Sequence, residues 1–453
     1  MNIPNTIKGI KNYVDDVMEI DVCLDKICDK ILDNNTSIIV LIFDIKRITH
    51  IILRTNMRTY ETTHPWIKFQ FDQRQISPKL WILLGEAQSK CEHIAGVPLR
   101  PATAAELHRL YLAKGALGTT AIEGNTLTEK EVLDQLDGKL KLPPSKEYLG
   151  REIENIVKTC SSILAELRDG NEVSEITIEG IKKLNKHVLE GLPINEGIIP
   201  GEIRTYSVGI EGIGYRGAPA EDCEYLLNHL CEWLNTKFRI FDDNEFGIII
   251  ALLKAVISHL YLAWIHPFGD GNGRTARLLE FKILLASGVP TPAAHLLSNF
   301  YNETRQEYYR QLTRASQSGG DIISFVEYTV RGFVDGLRIQ LKTIQEQQLD
   351  VVWRNYIHEM FKDMNRRSEV RLRHLALDIS KQKEAIPLDR IKDISPRIAA
   401  HYARLSNRAL PRDIKFLVKM DLIETTPEGI RAKKELISSF LPYRRKNQGK
   451  QNQ

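Results

Sequence analysis

The sequence predicts a mainly α-helical protein, and three observations lead there. Ala251 to Ile265 is an apolar run without proline, spaced as a helix that is buried on all sides. A second helical run, Thr275 to Ala286, follows after a turn dense in glycine. Helical patterning also fills Trp81 to Lys114 and Tyr148 to Leu189, while only Gly201 to Pro219 reads as β in the first three-quarters of the chain. A length of 453 residues suggests two or three domains with a sizeable core.

Taken in order, residues 1–56 are rich in Lys, Ile and Asp and carry no motif. The text changes at Met57, and residues 57–150 form an N-terminal helical region that ends in the loop Leu142-Pro143-Pro144-Ser145. Residues 151–337 form a central helical core. Within it, alternating Ile203, Val208, Ile210 and Ile213 among glycines predict a β-hairpin. Residues 338–367 read as a polar helical connector. Residues 368–440 are separate in character: Ser406 to Met420 is an amphipathic helix with Ile414, Leu417 and Val418 inward, followed by a hairpin-like turn at Thr426 to Ile430. Residues 441–453 are a basic tail around Arg444, Arg445 and Lys446.

The turn from His266 to Arg277 carries the chemistry. Gly271 and Gly273 allow φ > 0 and close approach of backbone to a ligand. The second helix begins near Gly273, so its free N–H groups favour an anion. Arg274 and Arg277 lie on one side of that helix, and each guanidinium can grip phosphate oxygens in pairs. Asp270 supplies a carboxylate beside the anion site, which suits Mg²⁺ bridging protein and phosphate. His266 can take a proton from an attacking hydroxyl.

His266, Phe268, Asp270, Gly271, Asn272, Gly273, Arg274 and Arg277 fill every defined position of His-x-Phe-x-Asp/Glu-Gly-Asn-Gly-Arg-x-x-Arg, and so the segment resembles the signature of the Fic family. The resemblance implies AMP transfer from ATP to a Tyr, Thr or Ser hydroxyl of a protein. It gives His266 the role of base, Asp270 that of Mg²⁺ ligand, and Gly271, Asn272 and Gly273 that of α-phosphate cradle. It assigns Arg274 and Arg277 to the β- and γ-phosphates, and Phe268 to anchoring the loop. Upstream, Thr119, Glu123 and Gly124 resemble the family's inhibitory motif, in which the glutamate reaches the second arginine, here Arg277, and displaces productive ATP. The same glutamate can support AMP removal. Arg58 to Trp66 looks like the usual beginning of this subfamily. Gly201 to Pro219 resembles the Fic flap, with Val208, Gly209, Ile210, Glu211 and Gly212 holding a target segment by strand addition. Tyr308 and Tyr309 fall where family members border the adenosine pocket; core aromatics are the equal alternative. Residues 368–440 resemble a winged helix whose Arg408, Arg412 and Lys415 face outward, which leaves DNA as an open partner alongside ATP and a protein target.

Composition narrows the classes. A net charge of +4 implies no global polyanion binding. Six cysteines without a CxxC pair read as free thiols, and the expected compartment is the cytoplasm. No stretch is expected to reach the roughly 18 apolar residues of a membrane span. The alternative to a transferase is a DNA-binding regulator that uses the fold as a nucleotide sensor. A homodimer, the target protein and the preferred base stay open.

Overall fold

The computed structural model describes residues 57–168, 175–210, 215–238 and 246–438. Residues group into two compact units, one holding the described residues up to Gly85 and Arg109–Gly332, the other Glu86–His108 and the described residues from Phe333.

The first unit begins with helix α1 (Thr59–Thr63) and the start of α2 (Pro78–Gly96). It continues with the larger part of α3 (Pro101–Ala121), then α4 (Glu129–Leu136), α5 (Glu147–Arg168) and α6 (Ile178–Val188). Strands β1 (Gly209–Ile210) and β2 (Tyr215–Arg216) pair antiparallel, with Gly209 opposite Arg216 and Ile210 opposite Tyr215. Then come α7 (Cys223–Lys237), α8 (Gly247–Ile265), α9 (Asn272–Ala286), α10 (Thr291–Ala294), α11 (Leu296–Glu303), α12 (Arg305–Gln317) and the first turns of α13 (Ile322–Met360).

At the centre, α8 packs along α9; α9 also meets α5 and α6, and α8 meets α7. This follows from composition. Helix α8 is apolar around its circumference, and 15 of its residues from Ile248 to Ile265 are buried. Its length and a mean hydropathy of 2.1 would let it cross a membrane, contrary to the expectation that no stretch qualifies, yet 83% of that window is buried within the protein. It is a core helix. The helices around it carry their own start signals: Thr128 and Glu131 form a reciprocal cap on α4, and the Thr177 side chain caps α6.

Among the described residues, the hairpin ladder covers less than its residue pattern suggested. Val208 follows the ladder through the Gly217 N–H at 3.1 Å, but Ile203 pairs with Phe268 instead. Glu211, Gly212 and Ile213 lie outside the described residues. The described cysteines Cys91, Cys160, Cys223 and Cys231 are buried free thiols.

The second unit contains α14 (Arg367–Ile379), α15 (Pro396–Tyr402), α16 (Ala409–Lys419) and the antiparallel strands β3 (Ile423–Thr426) and β4 (Gly429–Ala432). Its core joins Leu375, Ile379, Ile398, Leu410, Leu417 and Leu422 with Trp353, Ile357 and Phe361. The end of the stretch expected to be a polar connector is therefore part of this core. On α16 the inward stripe is Leu410, Ile414 and Leu417, while Val418, expected inward, is 38% exposed. A second buried layer is polar: Asp413 accepts from Arg371 Nε and from the Tyr402 hydroxyl, each at 2.8 Å.

Candidate active site

The chain turns sharply where α8 ends. His266 adopts the left-handed conformation (φ 51°, ψ 58°) and donates its backbone N–H to the Leu262 carbonyl at 2.9 Å. Pro267 then prevents the helix from continuing. Gly271 has φ +76° at the start of α9, a conformation that costs glycine least. Immediately after it, Asn272 closes the turn on itself: Nδ2 donates to the Phe268 carbonyl (2.8 Å), and Oδ1 accepts the Phe268 N–H (2.9 Å). Its carboxamide is thus committed to loop geometry. Phe268 is 1% exposed and roots the turn in the core.

Two residues that sequence reasoning missed hold the turn from outside. Asn185 on α6, fully buried, donates to the Asp270 carbonyl (2.9 Å) and to Thr275 Oγ1 (3.2 Å), and accepts the Gly201 N–H (2.9 Å). Arg204, also buried, donates to the carbonyls of His266 (2.7 Å), Tyr206 (2.6 Å) and Ala218 (2.5 Å). One guanidinium therefore joins the candidate base to both sides of the hairpin. Burial, and then the Arg204 cation, lowers the His266 pKa to about 4, so the ring is neutral at pH 7. Neutral imidazole is the form able to accept a proton.

The charged residues meet at the first turn of α9. Arg277 Nη2 donates to Glu123 Oε1 (2.5 Å) and to the Thr119 carbonyl (2.9 Å). Arg277 is 1% exposed, and its Nε and Nη1 are buried without a partner. A Cβ at Gly273 would stand 2.3 Å from Glu123 Oε1, so the carboxylate rests on the helix N-terminus where an anion is favoured. Burial opposes ionisation of Glu123, but the Arg277 guanidinium outweighs it and holds the carboxyl below its usual range. Arg274 is held by two carboxylates, Glu152 Oε1 at 2.6 Å and Asp270 Oδ1 at 3.1 Å. Glu152 was not anticipated; burial pushes its carboxyl up, against the pull of Arg274.

The aromatic pair divides. Tyr308 is 3% exposed, with its hydroxyl 2.8 Å from His259 Nε2, so it packs as a core residue. Tyr309 donates to the Ile122 carbonyl (3.2 Å) and lines a cleft of about 820 Å³ with Gln306, Arg310 and Thr313.

Residues 175–284 match the Fic/DOC family. Over 221 residues it is 32% identical to the protein adenylyltransferase fic-1 of Caenorhabditis elegans, covering 47% of this chain and 38% of that protein. Over 214 residues it is 30% identical to the protein adenylyltransferase Fic of Nematostella vectensis, covering 47% of this chain and 45% of that one. The chain thus spans less than half the length of these relatives. Among solved structures it is similar to a Fic family protein from Desulfovibrio desulfuricans G20 (TM-score 0.48, 21% identity, 79% of this chain and 97% of that chain).

Proposed function

We propose that this protein transfers AMP from ATP to a hydroxyl of a protein, and that Glu123 restrains the transfer. One observation carries the reading. A buried arginine with two unpartnered donors, Arg277, lies at a helix N-terminus beside a neutral histidine, and an internal carboxylate occupies the anion position. In the reaction the target oxygen attacks the α-phosphate, His266 takes its proton, and pyrophosphate leaves. Arg274, Arg277 and the free N–H groups of α9 at Asn272 and Gly273 receive the phosphates. Tyr309 and its cleft lie where the base and ribose can extend. The segment Val208 to Ile210 offers short strand edges to the target chain.

Asp270 fits a Mg²⁺ ligand. Its side chain is 45% exposed, and the backbone and Arg274 bonds fall on Oδ1. No cluster of three protein ligands exists among the described residues, so the substrate's phosphates would complete the shell. The ion would neutralise phosphate charge there.

The test is incubation of the protein and a cell lysate with ATP labelled at the α-phosphate, followed by mass spectrometry. Labelled protein is expected with the parent chain and about 10²–10⁴-fold less with His266→Ala. Equal labelling by the mutant would exclude His266 as the base.

The alternative, a DNA-binding regulator, is not favoured. The curated relatives are named as transferases, and sensing a nucleotide needs no base. On α16, exposed Arg412 and Lys415 stand beside exposed Phe416 and Val418, and Arg408 precedes them. That mixed face suits a protein partner as well as a major groove. A gel shift at low salt separates the two: a shift lost on charge reversal at Arg408 and Arg412 would restore the DNA reading.

A further inference from the structure

The turn that carries Glu123 is short and held mainly at its end. Its backbone closes through Glu123 N–H to the Thr120 carbonyl (3.0 Å) and Asn125 N–H to the same carbonyl (3.1 Å), with Gly124 at φ +103°. Ile122 is buried and fixes the front of the turn. On the side facing α12, Tyr309 and Arg305 reach the carbonyls of Ile122 and Ala121 only at 3.2 Å. The far end rests on Asn125, which is 6% exposed and uses its whole carboxamide. Oδ1 accepts the Leu127 N–H (3.1 Å), while Nδ2 donates to the Leu149 carbonyl and to Glu152 Oε2, each at 2.9 Å.

Glu152 is the meeting point. Its other oxygen, Oε1, holds Arg274. Its side chain is 13% exposed and that of Arg274 6%, so neither water nor salt screens the pair strongly. The turn that places Glu123 on Arg277 is therefore fastened to the same carboxylate that holds Arg274.

We propose that Asn125 is a positioning residue that latches the inhibitory turn onto α5, keeping Glu123 on Arg277 and linking the turn to the Glu152–Arg274 pair. The proposal rests on the AMP-transfer reading of the site and names a further part of its restraint. Asn125 bonds only to Leu127, Leu149 and Glu152 through its side chain and acts through Glu123. A hydrogen bond to a charged acceptor is worth more than a neutral one, and losing both Nδ2 bonds should shift the turn's open fraction by about tenfold or more.

The experiment is a pair of backgrounds. Asn125→Ala in the full chain should raise α-phosphate label transfer about tenfold. In a Glu123→Gly chain the same substitution should give no further rise, because the carboxylate it positions is gone. Amide hydrogen exchange of residues 122–125 should speed up in Asn125→Ala, even without nucleotide. If the alanine variant fails to fold, Asn125→Asp serves instead. It keeps the acceptor for Leu127 but sets a second carboxylate against Glu152, and the same release is expected. A folded variant with unchanged transfer and unchanged exchange would overturn the proposal. So would an equal loss of transfer in both backgrounds, which marks a purely structural residue. If no variant labels protein, Glu123→Gly included, the AMP-transfer reading fails. The exchange result alone then decides whether Asn125 is a latch, and unchanged protection overturns it.

Discussion

His266 shows how much of a reactive residue's behaviour comes from a distant one. Burial first, and the Arg204 cation second, keep its ring neutral down to about pH 4. The sign follows: a lowered histidine pKa leaves the base competent through the whole neutral range and removes it only on strong acidification. The kcat/KM profile of the free enzyme should therefore show no His266 limb between pH 6 and 8. Arg204→Met removes one of the two causes, so the pKa should rise toward 6.5 and a loss of rate should appear at pH 6 relative to pH 8. A flat profile in that variant would mean that burial alone sets the pKa. Glu123→Gly should raise transfer, because it frees Arg277 and the helix N-terminus together. Failure of that variant to gain activity in the label assay would make Glu123 structural or a residue of AMP removal. The residues most legible from sequence lie within one turn, His266 to Arg277, where glycines, proline and paired arginines leave a local mark; Glu123 was legible only through its resemblance to a motif. Arg204, Asn185 and Glu152 left none. Their partners lie 62, 85 and 122 positions away, and an arginine, an asparagine and a glutamate in isolation look like solvated residues. Tyr308 shows the converse: its helical register was visible, but whether it faced a pocket or the core depended on His259, 49 positions earlier.

The helices divide the labour between rigidity and approach. Helix α8 is buried all round and cannot shift without disturbing the core, so the His266 end is fixed. The first turn of α9 must let a phosphate close, and Gly273 is the means. Gly273→Ala would put a methyl 2.3 Å from Glu123 Oε1 and 3.1 Å from Arg277 Nη1. It should displace Glu123 yet still fail to activate, because the same methyl narrows the anion site. Calorimetric titration with ATP should show weaker binding than in Glu123→Gly. Equal affinity in the two would indicate that the phosphates lie elsewhere. In the second unit, the α14–α15 pair depends on Asp378. It is 3% exposed and accepts from Arg397 at 2.6 Å and 3.0 Å and from Ser395 at 2.7 Å. Burial opposes its charge, but these donors prevail and hold the carboxyl below its usual value. Such a group stabilises the fold above its unfolded pKa, about 3.9, and the contribution is lost as pH falls through the lower folded value. Asp378→Asn should cost about 1.5–3 kcal/mol in denaturant unfolding at pH 7, and less at pH 3. A pH-independent difference would assign the loss to packing.

The fold as a whole was legible because its strongest signals are periodic: the apolar α8, the amphipathic α16 and the polar turns between helices. The contact grouping was less so. Residues 86–108 belong with the C-terminal unit, and nothing in their pattern distinguishes one apolar partner from another. The start of the domain gives a last test. Residues 1–56 lie outside the described residues, and family-like text begins at Met57. The strap just after it is tied down at several points. Arg58 pairs with Asp222 at 3.3 Å, the Tyr60 N–H donates to the same carboxylate at 2.8 Å, and His64 Nε2 lies 3.0 Å from the Arg216 carbonyl on β2. Arg58 also covers the Tyr225 ring at 3.7 Å. A chain beginning at Met57 should therefore fold and transfer AMP as the longer one does. A chain beginning at Lys68 loses every one of these ties, including the one that steadies β2. Because β2 leads through Gly217 to the His266 side chain, within 2.7 Å of a Cβ built there, the loss should reach the proposed target-binding edge before the proposed nucleotide site. The expected result is a raised KM for the protein target, with ATP affinity little changed. Equal loss of both would show that the strap supports the whole unit, and an inactive chain from Met57 would show that residues 1–56 contribute to the site.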